Sequence, residues 1–215
     1  ENAFWLADTT ERFNRALKNP KSRFRQATGE CDMDLVVFGT GVLYSGLSNS
    51  KDHLIFQSVH LKDAIVMYDD EGNPSALYRS RRLMVWQLVE MFGKGKLSKK
   101  VQELIDQDKM DDKIEVLQVI AKRAGVEFEE PLLAKNMPFE HLWIEVASKH
   151  LISEDGFMEL PVVAPRWDTS SGEDYGRSPG MTSLPDVNTL QAMGETILVA
   201  GQRVADPPMM APNDG

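Results

Sequence analysis

Tyr175-Gly176-Arg177-Ser178-Pro179-Gly180-Met181-Thr182-Ser183-Leu184-Pro185-Asp186 is the stretch from which the rest of the chain is best understood. Its second half, Ser183-Leu184-Pro185-Asp186, has the S-x-x-D form of a capping box, with proline in the first turn where a missing N–H costs nothing. A helix is therefore expected to begin there. Val187, Leu190, Met193 or Gly194, Ile197, Leu198, Gly201 and Val204 then recur at three- and four-residue steps, and Asp206-Pro207-Pro208 stops the pattern. The predicted helix is about 20 residues, or about 30 Å, long. Gly194 and Gly201 each cost about 1 kcal/mol of helix propensity. With Ala192, Ala200 and Ala205 nearby, they form a small-residue stripe that permits close helix approach.

Upstream, the polar run Asp168-Thr169-Ser170-Ser171-Gly172-Glu173-Asp174 is a loop, and before it the chain mixes helices with strands. Phe4 to about Phe24 is an amphipathic helix ended by Asn19-Pro20. Leu35 to Tyr44 is either a buried helix broken at Gly39 and Gly41 or a helix running into a strand. His53–Val59 and Ala64–Tyr68 are strand-like. Asp69-Asp70-Glu71-Gly72-Asn73-Pro74 is a turn leading into a strand at Ala76–Arg79. Arg81–Phe92 has helical spacing closed by Gly93, and Ser98 opens a short helix through Ile105. Ile114–Ile120 and Leu142–Val146 are further strands, a hairpin signal follows at Ser153-Glu154-Asp155-Gly156, and Phe157–Leu160 is a third strand. Pro161 and Pro165 put the stretch to Trp167 at a sheet edge or outside the sheet. The fold class expected is α+β: a region of mixed helices and antiparallel strands, then a long helix.

The 215 residues carry 42% hydrophobic and 27% charged side chains, enough to bury a core and unlike a disordered chain. A net charge of −9 argues against a basic face that grips nucleic acid. Between Arg79 and Lys109, however, eight basic residues oppose four acidic ones, so this segment is +4 and the remainder −13. One cysteine, Cys31, excludes an intrachain disulfide and points to an intracellular origin. No apolar run reaches the ~20 residues of a membrane-spanning helix, so a soluble protein without a membrane partner is expected. The opening at Glu1-Asn2 ahead of Phe4-Trp5-Leu6, and the stop at Asn213-Asp214-Gly215, suggest an excerpt of a longer polypeptide.

No set of residues has the pattern of an active site. Gly39-Thr40-Gly41 is half of a dinucleotide loop, but the third glycine would fall at Tyr44. His53, His60, His141 and His150 lack metal-ligand spacing, and Cys31 has no activating base, so neither metal nor cofactor is expected. Glu129-Glu130, Asp111-Asp112 and Asp69-Asp70 are solvated loop charge. The competing class is a small α+β hydrolase or nucleotide-binding domain that uses Gly39 and Gly41.

Tyr175-Gly176-Arg177-Ser178-Pro179, then Pro185-Asp186 and a long helix, resembles the head-to-tail connecting (portal) proteins of short-tailed bacteriophages. Upstream, Asp34–Tyr44, the Asp69–Pro74 turn leading to Arg79, the helix ending Met91-Phe92-Gly93 and the strand Ile114–Leu117 are similar in order and spacing. The resemblance implies a structural, non-enzymatic subunit of a homododecameric ring at the capsid portal vertex of the virion, assembled in the host cytoplasm. Double-stranded DNA would pass along its axis without sequence specificity. Implied partners are further copies of the chain, capsid and scaffolding proteins, terminase and a tail adaptor. Residues 1–178 would be the wing, with the strands of 112–167 as an alternative clip, residues 179–206 a stem helix, and 207–215 the start of the clip or a tunnel loop. Tyr175, Gly176, Arg177, Ser178, Pro179, Pro185 and Asp186 would form a structural motif. Arg177 is expected to bridge backbone carbonyls or Asp174. Leu190, Gly194, Ile197, Gly201 and Arg203 would serve subunit packing or line the channel. The sparse charge of this helix, Asp186, Glu195, Arg203 and Asp206, suits a wall past which DNA slides, because each neutralised phosphate adds affinity and drag.

Overall fold

The computed structural model describes residues 2–48, 50, 52–124, 133 and 136–207. Glu129-Glu130 and 208–215 lie outside them. Helix α1 spans Asn2–Lys18, and Asn19 caps the 3-10 turn Pro20–Ser22 by accepting the Lys21 N–H. Helix α2 (Phe24–Phe38) then ends at Gly39, whose φ of +78° is the left-handed C-cap conformation that glycine adopts without steric cost. Of the two readings of Leu35–Tyr44, the helix running into a strand is the one observed, since β1 begins at Leu43.

Strands β1 (Leu43–Leu47) and β2 (Leu54–Ser58) form an antiparallel hairpin. Strand β3 (Ala64–Tyr68) pairs with β4 (Pro74–Met84) across the acidic turn, where the Asp69 carboxylate accepts the Glu71 and Asn73 N–H groups. Here one expectation needs correction: Arg81–Met84 is strand, and α3 covers only Val85–Phe92. Arg81, Arg82, Leu83 and Met84 pair with Val116, Glu115, Ile114 and Lys113 of β5. Ladder bonds and burial of Leu83 opposite an exposed Arg82 outweigh the weak helix preference of these side chains.

Gly93 closes α3, and the Ser98 hydroxyl caps α4 (Lys99–Asp106). Strand β5 (Lys113–Lys122) pairs with β6 (Phe139–Glu145), and β6 with β7 (His150–Phe157). The hairpin turn is therefore Val146–Lys149, with Lys149 at φ +52°, and not Ser153–Gly156, which lies inside β7. Strand pairing keeps 153–156 extended, and Glu154 projects to bond Arg123. The short β8 (Val162–Val163) adds to β1 as an edge strand, as the flanking prolines predicted.

The result is an antiparallel sheet β3-β4-β5-β6-β7 and a smaller one, β2-β1-β8, an α+β body. One core joins Leu77 and Ile120 of the large sheet to Val42, Val59 and Val162. A second joins Leu83, Val116 and Trp143 to Leu88 of α3 and Val101 of α4. Each fully buried Leu, Ile or Val contributes roughly 1.5–3 kcal/mol. Helix α5 (Pro179–Ala205) follows and has no buried residue. It begins well before the predicted Ser183 and runs 27 residues, about 40 Å, leaving Pro185 inside the helix.

Candidate functional site

The motif around Tyr175 meets the loop of Gly39 and Gly41, the candidate for nucleotide binding. The Gly176 N–H donates to the Thr40 hydroxyl at 2.8 Å, and Thr40 is fully buried. The Trp167 N–H donates to the Gly39 carbonyl at 2.9 Å, and the Gly41 N–H to the Pro165 carbonyl at 3.1 Å. Approach is close enough that a Cβ on Gly39 would collide with the Gly176 carbonyl, and one on Gly176 with the Gly39 carbonyl. A Cβ on Gly41 would lie 2.6 Å from the Cys31 sulfur. Burial, with Asp32 and Asp34 nearby, raises the pKa of that thiol and leaves it an inert packing group.

This geometry removes the phosphate reading of Gly39 and Gly41. They lie at the C-terminus of α2, where the helix presents carbonyls and partial negative charge; phosphate cradles use the opposite end. Among the described residues no three His, Cys, Asp or Glu side chains gather as a metal site. Each histidine has its own local partner: Asp52 for His53, the Lys62 N–H for His60, Gln118 for His141 and the Lys96 carbonyl for His150.

Ser178 is the centre of the junction. Its hydroxyl donates to the Val37 carbonyl in the last turn of α2 at 2.7 Å and accepts the Met181 N–H at 2.9 Å, acting as N-cap of α5. Pro179 takes the first helical position. A Cβ on Gly180 would press to 3.1 Å from the Val36 carbonyl, so this glycine lets the two helix ends meet. The carbonyl end of α2 thereby faces the amide end of α5, a favourable arrangement of partial charges. The Tyr175 hydroxyl accepts the Val66 N–H at 3.4 Å, tying the motif to β3.

Arg177 departs from expectation. Its N–H donates to the Asp168 carbonyl at 2.7 Å, but its exposed guanidinium forks onto Glu173 at 2.6 and 3.0 Å. Hydrogen bonding to Arg177 lowers the Glu173 pKa, and Glu173 raises that of Arg177. The arginine that bridges carbonyls is Arg166: it donates to the Asp174 and Gly72 carbonyls and stacks 4.2 Å over the Tyr68 ring. Thr40 bonds Gly176 and Arg166 reaches Gly72, both far along the chain, so spacing in the sequence marks neither. Asp186 is exposed and does not cap. The Ser183 hydroxyl donates instead to the Gly180 carbonyl.

Beyond the junction Leu190, Ile197 and Arg203 are exposed on α5, and a Cβ on Gly194 or Gly201 would meet nothing within 4 Å. The chief contact of α5 with the body is α2. No described helix is long and apolar enough to cross a membrane.

The sequence model of the bacteriophage head to tail connecting protein matches residues 1–214. The chain belongs to the bacteriophage head to tail connecting protein family. Two relatives of this connecting protein are a probable portal protein of Bordetella phage BPP-1, 28% identical over 213 residues, and a portal protein of Salmonella phage epsilon15, 26% identical over 211. Each alignment covers 97% of the present chain, which spans 37% of the length of each relative.

Proposed function

We propose that the chain is the wing and stem part of a structural portal subunit, forming a homo-oligomeric ring through which double-stranded DNA is packaged and ejected. The observation that carries this reading is α5. Leu184, Val187, Leu190, Met193, Ile197, Leu198 and Val204 are all more than half exposed on it. A contiguous apolar surface of this kind on a soluble domain marks an association site. A ring closes through a heterologous contact in which one surface meets a different surface of the next copy, and the unfilled space at Gly194 and Gly201 admits such a neighbour.

Residues 1–178 are then the wing, 179–206 the stem, and 207–215 the way into the clip or a tunnel loop. Support for including 112–167 in the wing is that β5 hydrogen-bonds directly to β4, so those strands share a sheet and two cores with residues upstream. The motif Tyr175–Pro179 is the fixed joint between the two parts, while Leu190, Gly194, Ile197, Gly201 and Arg203 face a neighbour or the channel. The ring sits in the virion at the portal vertex, is assembled in the host cytoplasm, and meets capsid and scaffolding proteins, terminase and a tail adaptor. Packaging energy comes from a separate ATPase. Light scattering of the intact gene product across a concentration series, followed by negative-stain imaging, tests the reading. Rings are expected, and a monomer at every concentration and salt would sink it.

A further inference from the structure

One face of the five-stranded sheet carries both apolar cores, with a polar strip between them. Along β4, Leu77 enters the first core and Leu83 the second, while Arg79 and Arg81 share the same face in between. Gln118 lies directly across from Arg79, and Trp143 follows on β6. Arg79 and Arg81 together line a cleft of ≈ 670 Å³, and the end of the strip with Arg81, Gln118 and Trp143 also floors a second cleft walled by Gln57 of the small sheet, Phe92 of α3, Lys96 and Asp155.

Neither arginine holds an ion pair among the described residues, and the acid that acts on Arg79, Asp63, does so from beyond contact distance. Arg79 donates to the Gln57 side-chain carbonyl at 3.2 Å, and the Arg81 guanidinium lies 5.7 Å over the Trp143 ring. Among the described residues no carboxylate comes within ion-pair distance of either. They stand about 7 Å apart along the strand, two residues at ~3.3 Å each, and burial together with the Arg81 charge pushes the Arg79 pKa down to about 10. Lys62 and Arg82 add charge at the outer edge, where β4 runs on past β3, and Asp63 and Glu115 offset it in part. Half-buried cations that repel each other are costly until paired. A carboxylate, which guanidinium forks bind in a planar two-bond geometry, relieves both.

We propose that the cleft shared by Arg79 and Arg81 is an oxyanion receptor filled by a carboxylate side chain of an adjacent copy of the chain, forming one of the head-to-tail contacts of the ring. The proposal rests on the portal reading above. Charge complementarity identifies the occupant: Lys62, Arg79, Arg81 and Arg82 outnumber Asp63 and Glu115 in the cleft, while the chain outside 79–109 carries −13, so every copy brings both a cationic cleft and an excess of carboxylates. A heterologous interface requires two such unlike patches on one chain.

The test uses assembled rings of the intact gene product. Arg81→Lys keeps the charge and supplies an amine that a carbodiimide can join to a carboxylate held against it. The carboxylate is activated, the amine displaces the urea, and an amide remains. With isotope-labelled and unlabelled subunits mixed, amides joining position 81 to an acid of a differently labelled chain are expected. Arg81→Gln is expected to melt within a few degrees of wild type as a dispersed subunit, yet to raise the subunit concentration needed for rings at least tenfold. Purely intrachain amides at position 81, or Arg81→Gln rings as stable as wild type, would overturn the proposal while leaving the ring intact. Absence of rings in the wild type would overturn the portal reading, and this contact with it.

Discussion

Leu88, Val101 and Ile120 in the body are sealed from water, whereas Leu190 and Ile197 on α5 are 67% and 70% exposed. Both regions are regular and well hydrogen-bonded, so the difference is not one of order. The body satisfies its apolar side chains within the chain; α5 holds its own out on a helix tied to the body at one end. On the proposed portal reading, stability of the subunit and formation of the ring are therefore expected to rest on different residues.

Substitutions separate the two. Ile120→Ala should cost about 2–5 kcal/mol in urea unfolding of the dispersed subunit, as buried truncations do, while Ile197→Ala should stay within about 0.5 kcal/mol and weaken rings seen by light scattering. Equal losses of subunit stability would break the comparison. At the boundary, Gly39→Ala combines an unfavourable positive φ with a collision against backbone, and a loss above about 2 kcal/mol is expected, read as a lower Tm. Ser178→Ala removes a cap worth about 1 kcal/mol and should speed hydrogen exchange at the Met181 and Thr182 amides without touching β5. On α5 itself, Gly194→Ala should stabilise the dispersed subunit by up to about 1 kcal/mol, yet obstruct assembly if a neighbour packs there. The smallest effect is expected for Arg177→Ala: its exposed ion pair is screened by salt, so Tm should stay within measurement error, and a large drop would show that the fork onto Glu173 holds the joint.

Local chemistry was legible where it is self-contained. The Asp69–Pro74 turn, the Ser98 cap, the Gly93 stop and strand β5 each declare themselves within a few residues. What escaped depends on partners far along the chain. Arg81–Met84 is strand because β5 pairs with it, and 153–156 is strand because β6 does. Two serines could have capped α5, and Ser178 prevails because its hydroxyl also reaches Val37. The apolar stripe at 190, 197 and 204 is visible in the sequence, but its exposure is not, since the same periodicity serves a core helix. Nor does spacing reveal that the Gly39 and Gly176 segments meet, or that Arg79 and Arg81 hold no ion pair among the described residues.

The contact between Gly39 and Gly176 also constrains how this protein can diverge. Each position is closed to a side chain by the main chain of the other, and a backbone atom cannot be exchanged for a smaller one. No second substitution at the facing position relieves the first, so drift has no compensated route through the pair. Lineages that keep this joint inherit both glycines as one unit, and a lineage that loses either must rebuild the way its terminal helix leaves the sheet.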